Sequence, residues 1–336
     1  MFHARILRPY SWKSVMRERQ PPIWEPVEQI VERYLRPDQC HQWPLDPFFP
    51  LDVRFLRLNR KYDVPLHRPD HLEIVYLEAG EVGYQVGDRT CVLRKGDTIV
   101  VGDGIFHRCL RTDAVSAEVC STVLSFRPEM ISPGSPLGDD LRYLLPFSKQ
   151  SSTFGNVIPA DRGVASDVLT FVDRINQELP ASTDRAQLSV RTYLKVILLS
   201  VVNYYASCHE SRELILRGHD DLARLKSLFD YMTNHASDPI PVEDAARLAA
   251  MSPAYFMHFF RRATGTSFVN YLNNFRVMRA QQMLADTDKN IAEISYQCGF
   301  CSQSYLGVVF KRFVGVSPFA YREISKKSVD KKSRLD

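Results

Sequence analysis

The chain lacks any apolar run long enough to cross a bilayer. Its most apolar stretch, VILLSVV at 196–202, falls far short of the roughly 20 residues that a spanning helix needs. Cysteine is sparse and odd in number, seven residues at 40, 91, 109, 120, 208, 298 and 301. That pattern argues against a disulfide framework and for a reducing, cytosolic setting. The first residues, MFHARILRPYSWKSVMRER, are basic but hold no apolar core of a secretory signal. A strong excess of one charge is also missing, since 43 Lys and Arg face 39 Asp and Glu. No membrane role is expected.

What charge surplus exists is unevenly placed. Residues 222–336 hold 16 basic against 10 acidic side chains, leaving 27 against 29 in the rest. A basic C-terminal third fits a nucleic-acid contact, although the tail KKSVDKKSRLD supplies much of it. At 336 residues, 45% of them hydrophobic, the chain is long enough for two soluble domains.

Periodicity divides the chain. Residues 1–50 are rich in proline and tryptophan and read as an extension of unassigned role, with one short helix, VEQIVERYL, placing Val27, Ile30, Val31 and Tyr34 on one face. From about 51 to 127 come brief runs rich in Val, Ile and Tyr, among them DVRFLRLN, LEIVYLEAG, VGYQVG, TCVLRKGD, TIVVGDG and AEVCSTVLSF, separated by Gly-Asp or Ala-Gly turns. These predict a small antiparallel barrel or jelly roll. After a Pro/Gly/Ser loop at 127–138 the period becomes helical. VASDVLTFVDRINQEL carries an apolar stripe through Val164, Val168, Phe171, Val172 and Ile175, and QLSVRTYLKVILLSVVNYYASC is more apolar than one core face requires. Residues 128–221 therefore predict a linker with helices that either dimerise or cover the barrel.

Residues 222–325 hold an internal repeat. Shifted by 50 positions, SPAYFMHFFRRATGTSFVNY (252–271) lies over SQSYLGVVFKRFVGVSPFAY (302–321), with Ser252/Ser302, Tyr255/Tyr305, Phe260/Phe310, Arg262/Arg312 and Gly265/Gly315 identical. Each copy has a short helix, a turn, a Ser suited to capping, and a second helix closed by Gly. The units span about 241–263 and 290–313, with a basic tail at 326–336. In this frame Cys298 and Cys301 of QCGFCSQS belong to a turn built on Gly299 and Phe300. A zinc site would need two more ligands, and the nearest candidates are carboxylates such as Glu293. A thioredoxin-like site would need a βαβ context that is absent.

The pair of units joined by SFVNYLNNFRVMRAQQMLADT and ending in GFCSQSYLGVVFKRFVGVSPFAYR resembles the DNA-binding domain of AraC/XylS-type transcriptional regulators. HRPDHLEIVYLEAGEVGYQVG followed by LRKGDTIVVGDGIFHR resembles the cupin-like sensor barrel of the arabinose-regulator branch. The implied fold is α+β and multidomain: an N-terminal antiparallel β-barrel with following helices, then an all-α domain of two helix-turn-helix units. In such a domain the second helix of each unit enters a major groove. With Tyr255, Phe256 and Phe260 turned to the core, and Tyr305, Leu306 and Phe310 likewise, Ala254, Met257, His258, Gln303, Ser304, Gly307 and Val308 face the bases. Arg261, Arg262, Lys311 and Arg312 meet phosphates, helped by the helix starts at Ser252 and Ser302. Relatives often carry Arg on the second recognition helix, where this chain has Val308 beside Gly307. Either backbone and valine approach a thymine methyl, or this helix binds mainly phosphates and His258 and Met257 do the reading.

The barrel offers His67, His71, Glu73, Tyr84 and His107, with Tyr76 and Arg54 as further contributors. They would hydrogen-bond a small effector, a sugar being suggested only by the arabinose-branch resemblance. His71, Glu73 and His107 could instead form a facial metal set, though Pro69 stands where the metal-binding pattern has its second histidine. The rival reading is a cupin metalloenzyme with an accessory helical domain, but such a domain has no need for two basic recognition helices. A barrel that only dimerises is a third. The reading adopted is a regulator, an activator by the family's commoner habit, that binds double-stranded DNA as a homodimer and meets RNA polymerase if it activates. No catalytic residue, cofactor or metal is assigned.

Overall fold

The computed structural model describes residues 22–59, 62–110, 118–131, 138–148, 155–181 and 183–332. Residues 1–21 of the N-terminal extension, 132–137 of the Pro/Gly/Ser loop and the last four residues of the basic tail lie outside them. Among the described residues no helix is long and apolar enough to cross a membrane.

The described part of the extension is built into the sheet domain. It forms β1 (Glu25–Pro26), α1 (Val27–Tyr34) and β2 (Cys40–His41). As the apolar spacing requires, Val27, Ile30 and Val31 of α1 are buried. Next come β3 (Leu51–Leu58), β4 (Arg68–Pro69), β5 (Leu72–Ala79), β6 (Glu81–Val86), β7 (Arg89–Arg94), β8 (Thr98–Val101), β9 (His107–Leu110) and β10 (Val119–Phe126), with β11 (Val157–Ile158) after a short α2 (Leu145–Ser148). They pair as a six-stranded sheet in the order β1-β3-β10-β5-β8-β11, a three-stranded sheet β7-β6-β9 and the pair β2-β4. A bridge between His67 and His107 links the segment before β4 to β9.

The large sheet is covered on both faces, and strand alternation decides which residues go where. Val53, Phe55, Ile74, Leu124 and Phe126 point to one face, into a core shared with the helices. The opposite face carries Arg54, Leu56, Glu73, Val75, Ser121, Val123 and Ser125, which line a cavity. Register makes this face continuous, because Val123 of β10 sits beside both Arg54 and Val75, and Ser125 beside Glu73.

The helical half comprises α3 (Val164–Glu178), α4 (Asp184–Ser207), α5 (His209–Arg224), α6 (Lys226–Asn234), α7 (Val242–Leu248), α8 (Pro253–Thr264), α9 (Phe268–Asp286), α10 (Ile291–Gln297), α11 (Gln303–Val314) and α12 (Pro318–Lys332). Helices α3 and α4 pack as a hairpin, with Val164, Val168, Val172 and Ile175 buried against Val190, Leu194, Ile197 and Val201. Phe171 of the predicted stripe is only half-buried and stacks on Tyr193. Helix α12 runs through Lys332 and so takes in part of the basic tail.

The two helix-turn-helix units are anchored differently. The first, α7 and α8, shares one core with the sheet through Leu222, Leu228, Phe229, Phe256 and Phe260. The second, α10 and α11, has its own cluster around Ile294, Cys298, Phe300, Leu306 and Phe310. From the sheet side, among the described residues, half-buried Phe48 reaches that cluster, stacked on Tyr321 at 4.0 Å.

Turn geometry explains one glycine of the second unit and not the other. Gly299 has φ +80°, and a Cβ there would lie 2.5 Å from the Ala236 carbonyl and 2.8 Å from Nε of Arg276. Arg276 is buried beneath it, donating to the Ala236 and Asp238 carbonyls at 3.2 and 2.7 Å. Gly307 in contrast sits inside α11 with open space where a side chain would go. Gly299→Ala is expected to destabilise the folded chain by about 1–3 kcal/mol. Gly307→Ala should stabilise it by roughly 0.8–1 kcal/mol, the helix-propensity difference. Denaturant unfolding of both variants checks the pair, and the same sign for both would refute this geometry.

Candidate nucleic-acid interface and ligand pocket

Helices α8 and α11 are the second helices of their units. Each starts after a turn containing a positive-φ residue, Ala250 (φ +54°) or Gly299. The turn is one residue longer in the second unit, where Cys301 is exposed. Ser302 caps α11, its hydroxyl accepting from the Tyr305 amide at 3.1 Å. Ser252 occupies the cap position of α8 without a side-chain bond, and Pro253 follows at the first helical position. Gly265 and Gly315 close the helices in the left-handed conformation, at φ +81° and +87°.

The core face of α8 is Phe256, Phe259, Phe260 and Ala263, and that of α11 is Leu306, Val309 and Phe310. Tyr255 and Tyr305 do not join them. They are 47% and 41% exposed, which corrects the expectation that both turn inward. Neighbouring helix positions are about 100° apart, so a core face centred on 256, 259, 260 and 263 carries 255 to its rim. There each ring lies against an aromatic neighbour: Tyr255 leans on Phe259, and Tyr305 lies against Phe300 and accepts from Nδ2 of Asn273 at 3.2 Å. The buried Phe259, missed in the sequence, was legible from i, i+3, i+4, i+7 spacing.

On the exposed side of α8 are Ala254, Met257, His258, Arg261 and Arg262; α11 shows Gln303, Ser304, Val308, Lys311 and Arg312, with Gly307 half-buried. Arg262 is engaged within the chain, bridging to Asp221 of α5 at 3.3 Å and lying over the Phe259 ring. Cys298 is fully buried beside the Met283 sulfur, and burial pushes its thiol up to about 11. A thiol so poorly ionised is a weak nucleophile and metal ligand. Among the described residues no group of three His, Cys, Asp or Glu is arranged to hold a metal ion.

The second site is the cavity on the inner face of the large sheet, about 610 Å³ with its mouth included. His67, Glu73, Tyr84 and His107 line it, as does Arg54. His71 lies behind Glu73 rather than on the wall, and Tyr76 packs on the helical side. The cavity also includes residues that sequence reading did not connect with it. Val27, Ile30 and Val31 of α1, Trp43, and His41 of β2 close one side. Their signal was faint because they come from the proline-rich extension and reach the pocket only through β1 and β2.

The polar end of the cavity is a hydrogen-bonded charge cluster. His71 donates through Nε2 to Glu73 at 2.8 Å and through Nδ1 to Asp70 at 3.0 Å. His107 Nε2 reaches the other Glu73 oxygen at 3.3 Å. Burial works against charge on His71, but the bonds to Asp70 and Glu73 outweigh it and raise its pKa to about 9. Burial likewise opposes ionisation of Glu73, yet His107 and His71 hold the carboxylate well below its ordinary range. His41 and His67 are neutral: burial lowers them to about 4 and about 3. His67 bonds the Pro65 carbonyl through Nδ1 at 2.8 Å, while both ring nitrogens of His41 are buried without a partner.

Comparison with known proteins gives two family matches. Residues 52–133 match the AraC-like ligand binding domain and residues 245–324 a helix-turn-helix domain. An uncharacterized HTH-type transcriptional regulator, YdeC of Bacillus subtilis, is 22% identical over 266 residues, covering 78% of this chain and 87% of its own. The HTH-type transcriptional activator RhaR of Mannheimia succiniciproducens is 22% identical over 258 residues, covering 77% and 87%. Among solved structures, the DNA-binding domain of AdpA in complex with a target DNA is 32% identical, covering 31% of this chain and 95% of that one, with a TM-score of 0.31.

For the exposed helix faces, His258→Ala should narrow the ratio of affinities for a selected duplex and its scrambled counterpart. Arg261→Ala should weaken both duplexes alike and lower the salt slope by about one. Anisotropy titrations over a salt series separate the two, and equal losses on both duplexes for both variants would refute the division. For the cavity, the sign of each shift sets a pH window. Below pH 6.5 the unfolded chain protonates histidines 41 and 67, which stay neutral when folded, so stability falls with falling pH. The His71 contribution is fully present below 6.5 and is lost as pH rises through about 9. Thermal unfolding should therefore peak near neutral pH, with His71→Gln flattening the alkaline limb. A melting temperature that keeps rising above pH 8 would contradict the cluster.

Proposed function

The chain belongs to the AraC/XylS-type transcriptional regulators, with an AraC-like ligand-binding domain ahead of an AraC-type helix-turn-helix domain, and from that premise we propose how its parts cooperate. It binds double-stranded DNA through α8 and α11, as a homodimer, under the control of a small effector held in the cavity. Ala254, Met257, His258, Gln303, Ser304, Gly307 and Val308 face base edges; Arg261, Arg262, Lys311 and Arg312 take phosphates, and the helix starts at Ser252 and Ser302 add amide donors. The sensor corresponds to 51–127 together with the described part of the extension, and the DNA-binding domain to 222–325. DNA as the partner puts the working protein in the cytoplasm. Activation is the habit carried by relatives such as RhaR, and in that mode RNA polymerase is a further partner. The metalloenzyme alternative finds no support among the relatives, which are regulators.

The observation that carries this reading is a polar path from the cavity to the second unit. Glu73 bonds His71, His71 bonds Asp70, and Asp70 pairs with Arg127 at 3.2 Å. Arg127 then donates to the Phe313 carbonyl in the last turn of α11. Two further polar contacts run beside it: Asn274 donates to Glu129 at 2.7 Å and Gln281 to the Pro47 carbonyl at 3.2 Å. An effector that draws His71 or Glu73 into a new bond alters the same path, and the second unit is released or re-seated without disturbing the first. Coupling of this kind requires only that the effector prefer one arrangement. A tenfold change in occupancy needs about 1.4 kcal/mol of preference, the scale of one hydrogen bond. The Arg262–Asp221 bridge adds a contact that a DNA phosphate must displace. Exposed Leu188 and Leu199 on α4 support the dimer.

Asp70→Asn and Arg127→Ala should each change affinity for a selected duplex by about threefold to tenfold, or roughly 0.7–1.4 kcal/mol. Because they cut one path, the double variant should change it no further than the larger single effect. Additive effects, or no effect from either, would remove the path from the account. Absence of any duplex binding at low salt would remove the regulator.

A further inference from the structure

Helical periodicity singles out Val308. Neighbouring positions are about 100° apart. With Leu306, Val309 and Phe310 buried, the stripe pointing directly away from the core is therefore Ser304, Val308 and Lys311, all exposed. Val308 is its apolar member and is 69% exposed. The exposed ring of Tyr305 on the same helix is already engaged, lying on Phe300 and accepting from Asn273. Val308, by contrast, joins neither apolar cluster of the helical half among the described residues. A branched hydrocarbon on the crest of this helix has water as its neighbour until another surface covers it.

Gly307 beside it points to close contact on this face. Nothing lies within 4 Å of where its Cβ would stand. Packing among the described residues therefore does not require a glycine, and inside a helix glycine costs stability. What it supplies is a close approach of the backbone to whatever meets α11. Valine is short, so it reaches a partner only if its neighbour does not hold the helix away.

Charge placement narrows the partner to one base. The basic side chains of α11, Lys311 and Arg312, stand in its last turn, with Lys311 about 12 Å along the axis from Gln303. Ahead of them the groove-facing residues are Gln303, Ser304, Gly307 and Val308, with no cation for O6 and N7 of a guanine. A guanine, adenine or cytosine edge set against Val308 would lose its water and gain no partner. Thymine places a methyl group in the major groove, and covering that methyl with hydrocarbon is favourable.

We infer that Val308 reads the 5-methyl group of a thymine, so that the second unit prefers an A·T pair at this step. The inference rests on α8 and α11 being the recognition helices, and it chooses between the two roles that the sequence leaves open for α11. Fifty positions earlier, His258 holds the corresponding place on α8 and is exposed. One unit offers an imidazole to a base edge, the other a hydrocarbon face.

The test uses the full chain and a duplex that it selects from a random pool. Each thymine in turn is replaced by deoxyuridine, which removes one methyl group and keeps every hydrogen-bonding edge and phosphate. At one position the parent chain should lose about threefold to fivefold in affinity, the scale of one methyl contact. Val308→Ser should reduce that penalty below about 1.5-fold. Val308→Thr, which keeps a methyl group in the same branched shape, should preserve most of it. Both replacements are at an exposed position, and thermal unfolding verifies that the fold is kept. The inference is overturned by a pool that returns no fixed thymine, by the absence of any uracil penalty, by a penalty equal in the parent and Val308→Ser, or by its loss in Val308→Thr as well. Duplex binding in any of these cases preserves the regulator, whereas no binding to any duplex at low salt removes both.

Discussion

A carboxylate as deeply buried as that of Glu73 cannot remain charged alone, because removing an ion from water costs far more than one contact returns. Its two oxygens are met by His71 and His107, and that requirement organises the sensor. To serve as donor on both nitrogens, His71 must itself be charged, which calls for Asp70 on its far side. Asp70 in turn has Arg127, and Arg127 extends past the sheet to the end of α11. Each charge in the series is present because its neighbour needs it. On the proposed reading, a disturbance at the cavity end is passed along these contacts to the domain boundary.

The boundary is built to register that cost unevenly. The first helix-turn-helix unit shares an apolar core with the sheet and the α3–α4 hairpin, so separating it would expose large side chains such as Phe229, Phe256 and Phe260. The second unit keeps its own core and meets the sensor mainly through hydrogen bonds and the Phe48–Tyr321 stack. Polar contacts at a boundary exchange with water at small net cost, whereas apolar burial does not. One unit is thus held by apolar burial and the other mainly by polar contacts, an asymmetry that the proposed ligand-dependent spacing on a duplex would use.

Much of this was legible in the residues. The 50-residue repeat, the Gly265 and Gly315 caps and the strand runs between 51 and 127 correspond to local rules of φ, capping and alternation, and they appear in the structure where those rules put them. The basic faces of α8 and α11 followed from the same periodicity. Tyr255 and Tyr305 were misjudged because an identical residue in both repeats was read as core, although the repeat equally preserves a rim position. His41 and Arg127 were invisible for a different reason. One reaches the cavity through a two-residue strand from a proline-rich segment, and the other contacts a carbonyl 186 positions away. Neither leaves a periodic trace, since long-range polar contacts depend on tertiary placement alone.

On the proposed reading, the charge state of one buried cluster is felt by the second unit and not by the first. Hydrogen exchange of the full-length Glu73→Gln variant tests it most directly, because exchange reports local opening helix by helix. Faster exchange is expected in the last turn of α11 and in the segment leading to α12, with α7 and α8 unchanged from the parent chain. Unchanged exchange in α11, or equal acceleration in both units, would contradict it.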